Sequence, residues 1–202
     1  MSKELLRVDT QPLVLHLQPI LQRMNDREFF EFCQLNPELR MERTREGDLI
    51  ITTPTGGQTG RRNFMLAGLF FAWVESTGTG VGFDSSTGFT LPNGARRSPD
   101  LAWVRHSRWA ALKEEDKEEF PPLCPDFVVE LRSRSDDIDT LKTKMQEYMA
   151  NGAVLGWLID PAEKKVYIYQ PSAEVTCLVK PKIISGDPVL AGFILDLKRI
   201  WQ

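Results

Sequence analysis

The sequence is poor in the residues that build disulfide scaffolds and metal knuckles. Its three cysteines, Cys33, Cys124 and Cys177, are odd in number and far apart, and its two histidines, His16 and His106, have no cluster around them. Neither a disulfide framework nor a closely spaced zinc site is therefore suggested, and a reducing, cytoplasmic setting is expected. Long apolar runs are also missing: no segment reaches the roughly 18 residues of a membrane-spanning helix. The opening "MSKELLRVDTQPLVLHLQ" carries Glu4 and Asp9 and has no apolar stretch of that kind either. No membrane association is expected. Positive charge is not in excess, the formal net charge being -3, which argues against a general nucleic-acid coat protein but leaves room for a local basic patch. "TPTGGQTGRRN" lacks the Gly-Lys-Ser/Thr ending of a phosphate-cradling P-loop and reads as a turn before a helix.

With 202 residues, 42% of them hydrophobic, the chain can bury one substantial core. A single domain over residues 25–202 with an N-terminal extension over 1–24 is expected. "NDREFFEFCQLNPEL" has the cap and early acids of a helix starting near Asp26, and "LRMERTREGDLIITTP" reads as a hairpin turning at Glu46, Gly47 and Asp48. Residues 64–74 are apolar almost all round, predicting a central helix buried on several sides. "VGFDSSTGFTLPNG" and "RSPDLAWV" predict a second hairpin, and "DFVVELRS" a further strand. "DDIDTLKTKMQEYMANG" has both helix-terminus signals, and three short strands follow it. The class is α/β, a mixed central sheet flanked by helices.

Within this frame one residue is out of place. "RRSPDLAWV" drives Asp100 into a strand whose neighbours are apolar, and a buried carboxylate costs several kcal/mol unless it is paired or bound to a metal. Strand alternation puts Asp100 on the face of Ala102 and Val104, and Glu130 of "VVELRS" on the face opposite Val129 and Leu131. If the two strands pair there, the carboxylates become neighbours. They then need a shared proton or a hard cation such as Mg²⁺ or Mn²⁺.

Pro99-Asp100, followed by Glu130, Leu131 and Arg132, is similar to the PD-(D/E)XK nuclease pattern. "RMERTREGDLIITTPTGG", "SSTGFTLPNGARRSPDLAWV", "CPDFVVELRS" and "KMQEYMANGAVLGWLIDP" resemble, in order, blocks of the Uma-two family, also called domain of unknown function 820. The resemblance implies a restriction-endonuclease-like fold, here with an extra N-terminal helix and β-hairpin. It also implies an Mg²⁺-dependent (or Mn²⁺-dependent) phosphodiesterase site with Asp100 and Glu130 as metal ligands and Glu42 as a further carboxylate. The lysine expected two residues after the acid is Arg132, whose guanidinium stays protonated and is a poor general base. The family's Lys, Tyr and Gly on the next helix match Lys144, Tyr148 and Gly152. That match favours Lys144 for the basic role, whereas helical periodicity alone leaves Lys142 and Lys144 equivalent.

Each of these residues also has a plain structural reading: a surface salt bridge for Glu42 among Arg40, Arg43 and Arg45, a snorkelling lysine for Lys144, core packing for Tyr148, and an ion pair with Arg132 or Lys144 for Glu130. Residues 95–109 hold four arginines against Asp100, a local balance of +3. This predicts a basic patch beside the site, with Arg96, Arg97 and Arg132 as candidate phosphate contacts. The function expected is a metal-dependent DNA endonuclease. The competing class is an inactive nuclease fold that binds nucleic acid or a mobile-element partner. A sugar or small-molecule hydrolase would need Asp100 and Glu130 to flank an apolar pocket. A homodimer is expected, because two symmetry-related sites cut a duplex most simply.

Overall fold

The computed structural model describes residues 12–202. Its first part holds β1 (Leu13–Leu15), α1 (Gln18–Leu21), α2 (Asp26–Gln34), β2 (Arg40–Arg43), β3 (Leu49–Thr52), α3 (Gly57–Thr77), β4 (Gly80–Asp84), β5 (Phe89–Thr90), β6 (Arg96–Arg97) and β7 (Leu101–Arg105). There follow α4 (His106–Ala110), α5 (Glu114–Glu118), β8 (Phe127–Leu131), α6 (Ile138–Ala150), β9 (Leu155–Asp160), β10 (Lys165–Tyr169), β11 (Thr176–Val179), β12 (Ile183–Ser185) and β13 (Ile194–Asp196). A 3-10 turn over Leu197–Arg199 comes last. Two larger sheets run β1-β3-β2-β6-β5 and β11-β10-β9-β8-β7-β4, and β12 pairs with β13. None of the helices among the described residues is long and apolar enough to cross a membrane.

The six-stranded sheet is mixed, because β8 and β9 run parallel while its other pairs are antiparallel. A parallel pair needs a crossover, and α6 supplies it. Strand alternation then divides the core. Phe127, Val129, Leu131, Trp157 and Ile159 pack with Leu66, Phe70 and Val74 of α3, while Val128, Leu158, Ala102 and Val104 pack with Met145 and Tyr148 of α6. The sheet is thus flanked by one helix on each face. On β9, Gly156 permits the close approach of α6: a Cβ there would stand 2.5 Å from Met145 Cε.

Local signals explain the helix ends. Asn25 and Glu28 form a reciprocal capping box at the start of α2. Asp137 accepts from Thr140 N at the start of α6, and Gly152 follows its end at φ +105°. The β2–β3 turn contains Gly47 at φ +91°, which an L side chain rarely adopts.

One expectation is refined and one is corrected. The segment around Pro92, Asn93 and Gly94 joins a short β5–β6 hairpin in the first sheet, whereas β4 pairs with β7 in the second, so the chain crosses between sheets on both sides of that turn. The central helix buries a stripe of Leu66, Phe70 and Val74 but leaves Phe64 78% and Phe71 64% exposed. Its all-round apolarity does not reflect all-round burial. Residues 1–11 of the N-terminal extension lie outside the described residues, and β1 ties the following segment to β3.

Candidate active site

The site grows out of the β7–β8 register. Leu101 faces Val129 and Ala102 faces Val128, so one step further along the same ladder Asp100 stands opposite Glu130, both on the α6 side of the sheet. Leu131 N donates to Asp100 Oδ2 at 2.7 Å. Asn63 of α3 reaches Asp100 Oδ1 through Nδ2 at 3.4 Å, and its own Oδ1 is enclosed without a hydrogen-bond partner.

From the opposite layer α6 contributes Lys144 and Tyr148, which share a helix face at four-residue spacing. Lys144 Nζ lies 2.8 Å from Glu42 Oε1 and 2.9 Å from Glu130 Oε1, and it donates to Ser98 O at 3.2 Å. Tyr148 is fully buried and donates through its hydroxyl to Glu130 Oε1 at 3.2 Å. Packing and hydrogen bonding are therefore both part of its role. Glu42, brought in by β2, also accepts from Arg97 Nη1 at 3.1 Å and Ser98 N at 3.0 Å. Arg97 in turn reaches Glu147 Oε2 at 2.6 Å, and Glu147 accepts from Asn93 Nδ2. Glu147 and Asn63 were not legible in the sequence as parts of the site. The spacing of Glu147 three residues after Lys144 was the available signal, but nothing local marks Arg97 as its partner.

Burial pushes the Glu130 carboxyl up to about 8; Lys144 opposes the rise, and the Asp100 and Glu42 carboxylates add to it. Asp100 is likewise raised, chiefly by burial, against the Leu131 N–H and Lys144. Burial also works against ionised Glu42, yet Lys144, Arg97 and the Ser98 N–H outweigh it and hold this carboxyl below its ordinary value. For Lys144, burial favours the neutral amine, but Glu130 and Glu42 override it and hold the ammonium above the usual lysine range. The site thus contains one settled carboxylate, Glu42, which positions Lys144, and two strained ones that a single ammonium satisfies only in part.

Among the described residues no three His, Cys, Asp or Glu side chains converge as a ready-made metal cage. Asp100 and Glu130 nonetheless fit a divalent cation of the Mg²⁺ type, which takes one or two carboxylates and keeps several waters. Both are hard oxygen donors whose ionised forms Lys144 compensates only in part, and the orphaned Asn63 carbonyl oxygen adds an acceptor beside them. Glu42, expected as a further carboxylate, faces Lys144 and Arg97.

The arginines are rearranged most. Arg96 is 2% exposed and is committed to Asp26, Gly94 O and Ala95 O, so it presents nothing to a phosphate. Arg97 is locked between Glu42 and Glu147. Arg105 and Arg108 both pair with the buried Asp126, which disperses the expected basic patch. Arg132 turns away from Glu130 to pair with Asp160 Oδ2 at 2.7 Å, Asp160 being 1% exposed. The base two residues after the motif acid is structural here, and the lysine touching that acid arrives from α6. Arg132→Met is accordingly expected to cost about 3 kcal/mol by leaving a buried carboxylate unpaired, as read by urea melts, while cleavage by the surviving folded protein stays within about threefold of wild type.

These side chains line a broad groove bounded by β2, the start of α3, the 132–136 loop and α6. Its volume of 2140 Å³ exceeds the roughly 300–1,000 Å³ of a small-molecule pocket and suits a polymer. Near Asp100 and Glu130 its walls mix polar side chains, among them Lys144, Ser133 and Asp136, with the apolar Leu131 and Leu141. Arg62 and Arg134 also line it and form no ion pair with a side chain among the described residues, Arg62 donating to Ile200 O at 2.8 Å and to Gln202 O at 3.4 Å. Burial and the positive charges of Arg61 and Arg134 lower the Arg62 pKa, as expected where cations gather without a counter-charge.

A family model described as "Putative restriction endonuclease" matches residues 26–198. No curated protein matches the chain. A crystal structure from Anabaena variabilis, described as "a putative nuclease belonging to DUF820", superposes with a TM-score of 0.68 at 21% identity, covering 80% of this chain and 89% of that one. At that identity the likeness bears on the fold, which is of the nuclease-like mixed α/β kind.

Proposed function

The chain belongs to the Uma-two family, whose model, described as "Putative restriction endonuclease", spans residues 26–198, and from that premise we propose that it is a divalent-metal-dependent endonuclease acting on DNA. The observation that carries the reading is the placement of Asp100 and Glu130 in register on neighbouring strands, with the Lys144 ammonium 2.9 Å from Glu130.

Asp100 and Glu130 are the residues that would hold the metal, Mg²⁺ or Mn²⁺. Bound there, it would acidify a water and polarise the scissile phosphate. The Leu131 N–H fixes the Asp100 carboxyl and the Tyr148 hydroxyl fixes that of Glu130. Lys144 stays protonated, so its task is to present a fixed positive charge to the phosphate rather than to take a proton. Glu42 holds that ammonium in place and is itself held by Arg97. Arg62 and Arg134 replace Arg96, Arg97 and Arg132 as the groups that would grip the nucleic-acid backbone. The three free thiols suit a reducing, cytoplasmic compartment.

The test is a panel of DNA and RNA substrates incubated with Mg²⁺, Mn²⁺ or EDTA. Cleavage of DNA with either metal and none with EDTA is expected. Metal-independent binding without cutting would favour a non-catalytic nucleic-acid-binding role instead. In the same panel Arg62→Ala with Arg134→Ala is expected to weaken DNA binding without sequence dependence. The slope of log affinity against log salt should flatten by about 1 to 2, the contribution of two lost phosphate contacts.

A further inference from the structure

The outward face of α3 carries large apolar side chains that nothing among the described residues covers. Phe64 and Phe71 are 78% and 64% exposed, and Gly68 lies between them on the same face. A Cβ built at Gly68 meets nothing within 4 Å, so the absence of a side chain there serves no contact inside the chain. In a 21-residue helix such a glycine weakens the helix by roughly 1 kcal/mol relative to alanine. What it provides is a flat spot at which a second helix can approach closely, interaxial distance being set by the side chains at the crossing.

The pattern around Gly68 is self-complementary. If two copies of α3 cross antiparallel on a two-fold axis at Gly68, each residue faces the one equally far on the other side. Phe64 then meets Ala72, Met65 meets Phe71, and Arg61 meets Glu75. Large faces small, apolar faces apolar, and the cation faces the acid twice, as an isologous interface requires. Arg61 and Glu75 are both exposed and neither has an ion pair among the described residues, Arg61 making only a 3.3 Å contact to Gln202 O. We infer that α3 is a homodimerisation helix, crossing its symmetry mate at Gly68 with the Phe64 and Phe71 rings packed across the axis and Arg61 paired with Glu75 of the other copy. Four rings at that exposure supply roughly a third of a standard-size interface, so the dimer is of the concentration-dependent kind. The face lies opposite the stripe that packs on the sheet, and the inference does not depend on the activity of the site.

The experiment is sedimentation equilibrium of the full chain across the micromolar range. The expected mass rises with concentration toward twice the 23.0 kDa of one chain. Arg61→Glu and Glu75→Arg, each alone, should weaken association about tenfold or more by placing like charges across the axis, and the two together should restore it. Gly68→Leu should abolish the dimer while leaving the melting temperature of the monomer unchanged or slightly raised, which separates lost association from lost folding. A chain that stays monomeric throughout overturns the inference. So does a dimer indifferent to Gly68→Leu, or a double reversal that fails to restore what the single reversals lose.

Discussion

Glu130→Gln is expected to abolish metal-dependent cleavage, by about 10³-fold or more, while changing the stability of the metal-free protein by no more than about 1 kcal/mol. The asymmetry follows from the state of this carboxyl. Burial and the neighbouring Asp100 and Glu42 carboxylates push it up to about 8, so at neutral pH the metal-free protein mostly holds it as a neutral acid. A glutamine replaces that neutral acid at almost the same volume and keeps an oxygen for the Tyr148 hydroxyl. A divalent cation instead needs the ionised form, which glutamine does not have. Thermal melts of the wild type with excess Mg²⁺ should show stabilisation that grows with the logarithm of metal concentration. The variant should show none. A variant that still gains stability from Mg²⁺ would place the metal elsewhere.

The second large effect belongs to Lys144. In Lys144→Met, Glu130 faces Asp100 and Glu42 with no ammonium among them, and Glu42 keeps only Arg97 and the Ser98 N–H. Breaking a buried pair by removing one partner costs roughly 3–5 kcal/mol, but Glu130 can avoid part of this by staying protonated. The pH dependence has a definite sign. A carboxyl whose pKa is raised in the folded state contributes stability that is fully present below its unfolded value and is lost as pH rises through the folded one. In the wild type that loss runs up to about pH 8. Without Lys144 the carboxyl rises further and the loss extends to higher pH, so the deficit of the variant relative to wild type should widen as pH rises past about 8, where the wild-type carboxyl has ionised and the variant's has not. At the alkaline end the melting temperature should fall by roughly 6–12 °C, taking 2–4 °C per kcal/mol for a chain of this size. Because Lys144 competes with a metal for Glu130, the variant should bind Mn²⁺ at least as tightly as wild type, yet cleave about 10²-fold or more slowly. A deficit independent of pH would show that the ammonium does not compensate Glu130.

Much of this site could be read before its geometry was known, because its central relation is local to two strands. Alternation in "VVELRS" and "SPDLAWV" assigned Glu130 and Asp100 to definite faces, and one register of the two strands makes them neighbours; the β7–β8 ladder has that register. The helix signals at Asn25, Asp137 and Gly152 were legible for the same reason, each being complete within a few residues. Lys144 was legible only through the family resemblance, since periodicity placed Lys142 equally well.

What escaped the sequence depends on distant partners. The arginine count over residues 95–109 suggested a basic surface, but Arg96 is neutralised by Asp26, 70 residues away, and Arg97 by Glu147, 50 residues away. Net charge over a window carries no information about which carboxylates fold back onto it. The hairpin over residues 81–104 does pair its arms antiparallel across the turn at Gly94, Val81 with Val104 and Phe89 with Arg97; what local pattern does not carry is that each arm is divided between two sheets. The apolar circumference of α3 suggested burial on several sides. An exposed apolar helix face carries the same composition as a core face, and the difference shows only in the exposure of Phe64 and Phe71.

The buried pair of Asp100 and Glu130 is expected to take up a divalent cation by giving up the proton on Glu130. Calorimetric titration of Mn²⁺ into the protein, repeated in buffers of different ionisation enthalpy, counts the protons released on binding. About one proton per Mn²⁺ is expected at pH 7, declining toward none as pH passes above 8, with affinity rising over the same interval and no binding in Glu130→Gln. Binding at pH 7 that releases no proton, or that is unchanged in Glu130→Gln, would contradict that expectation.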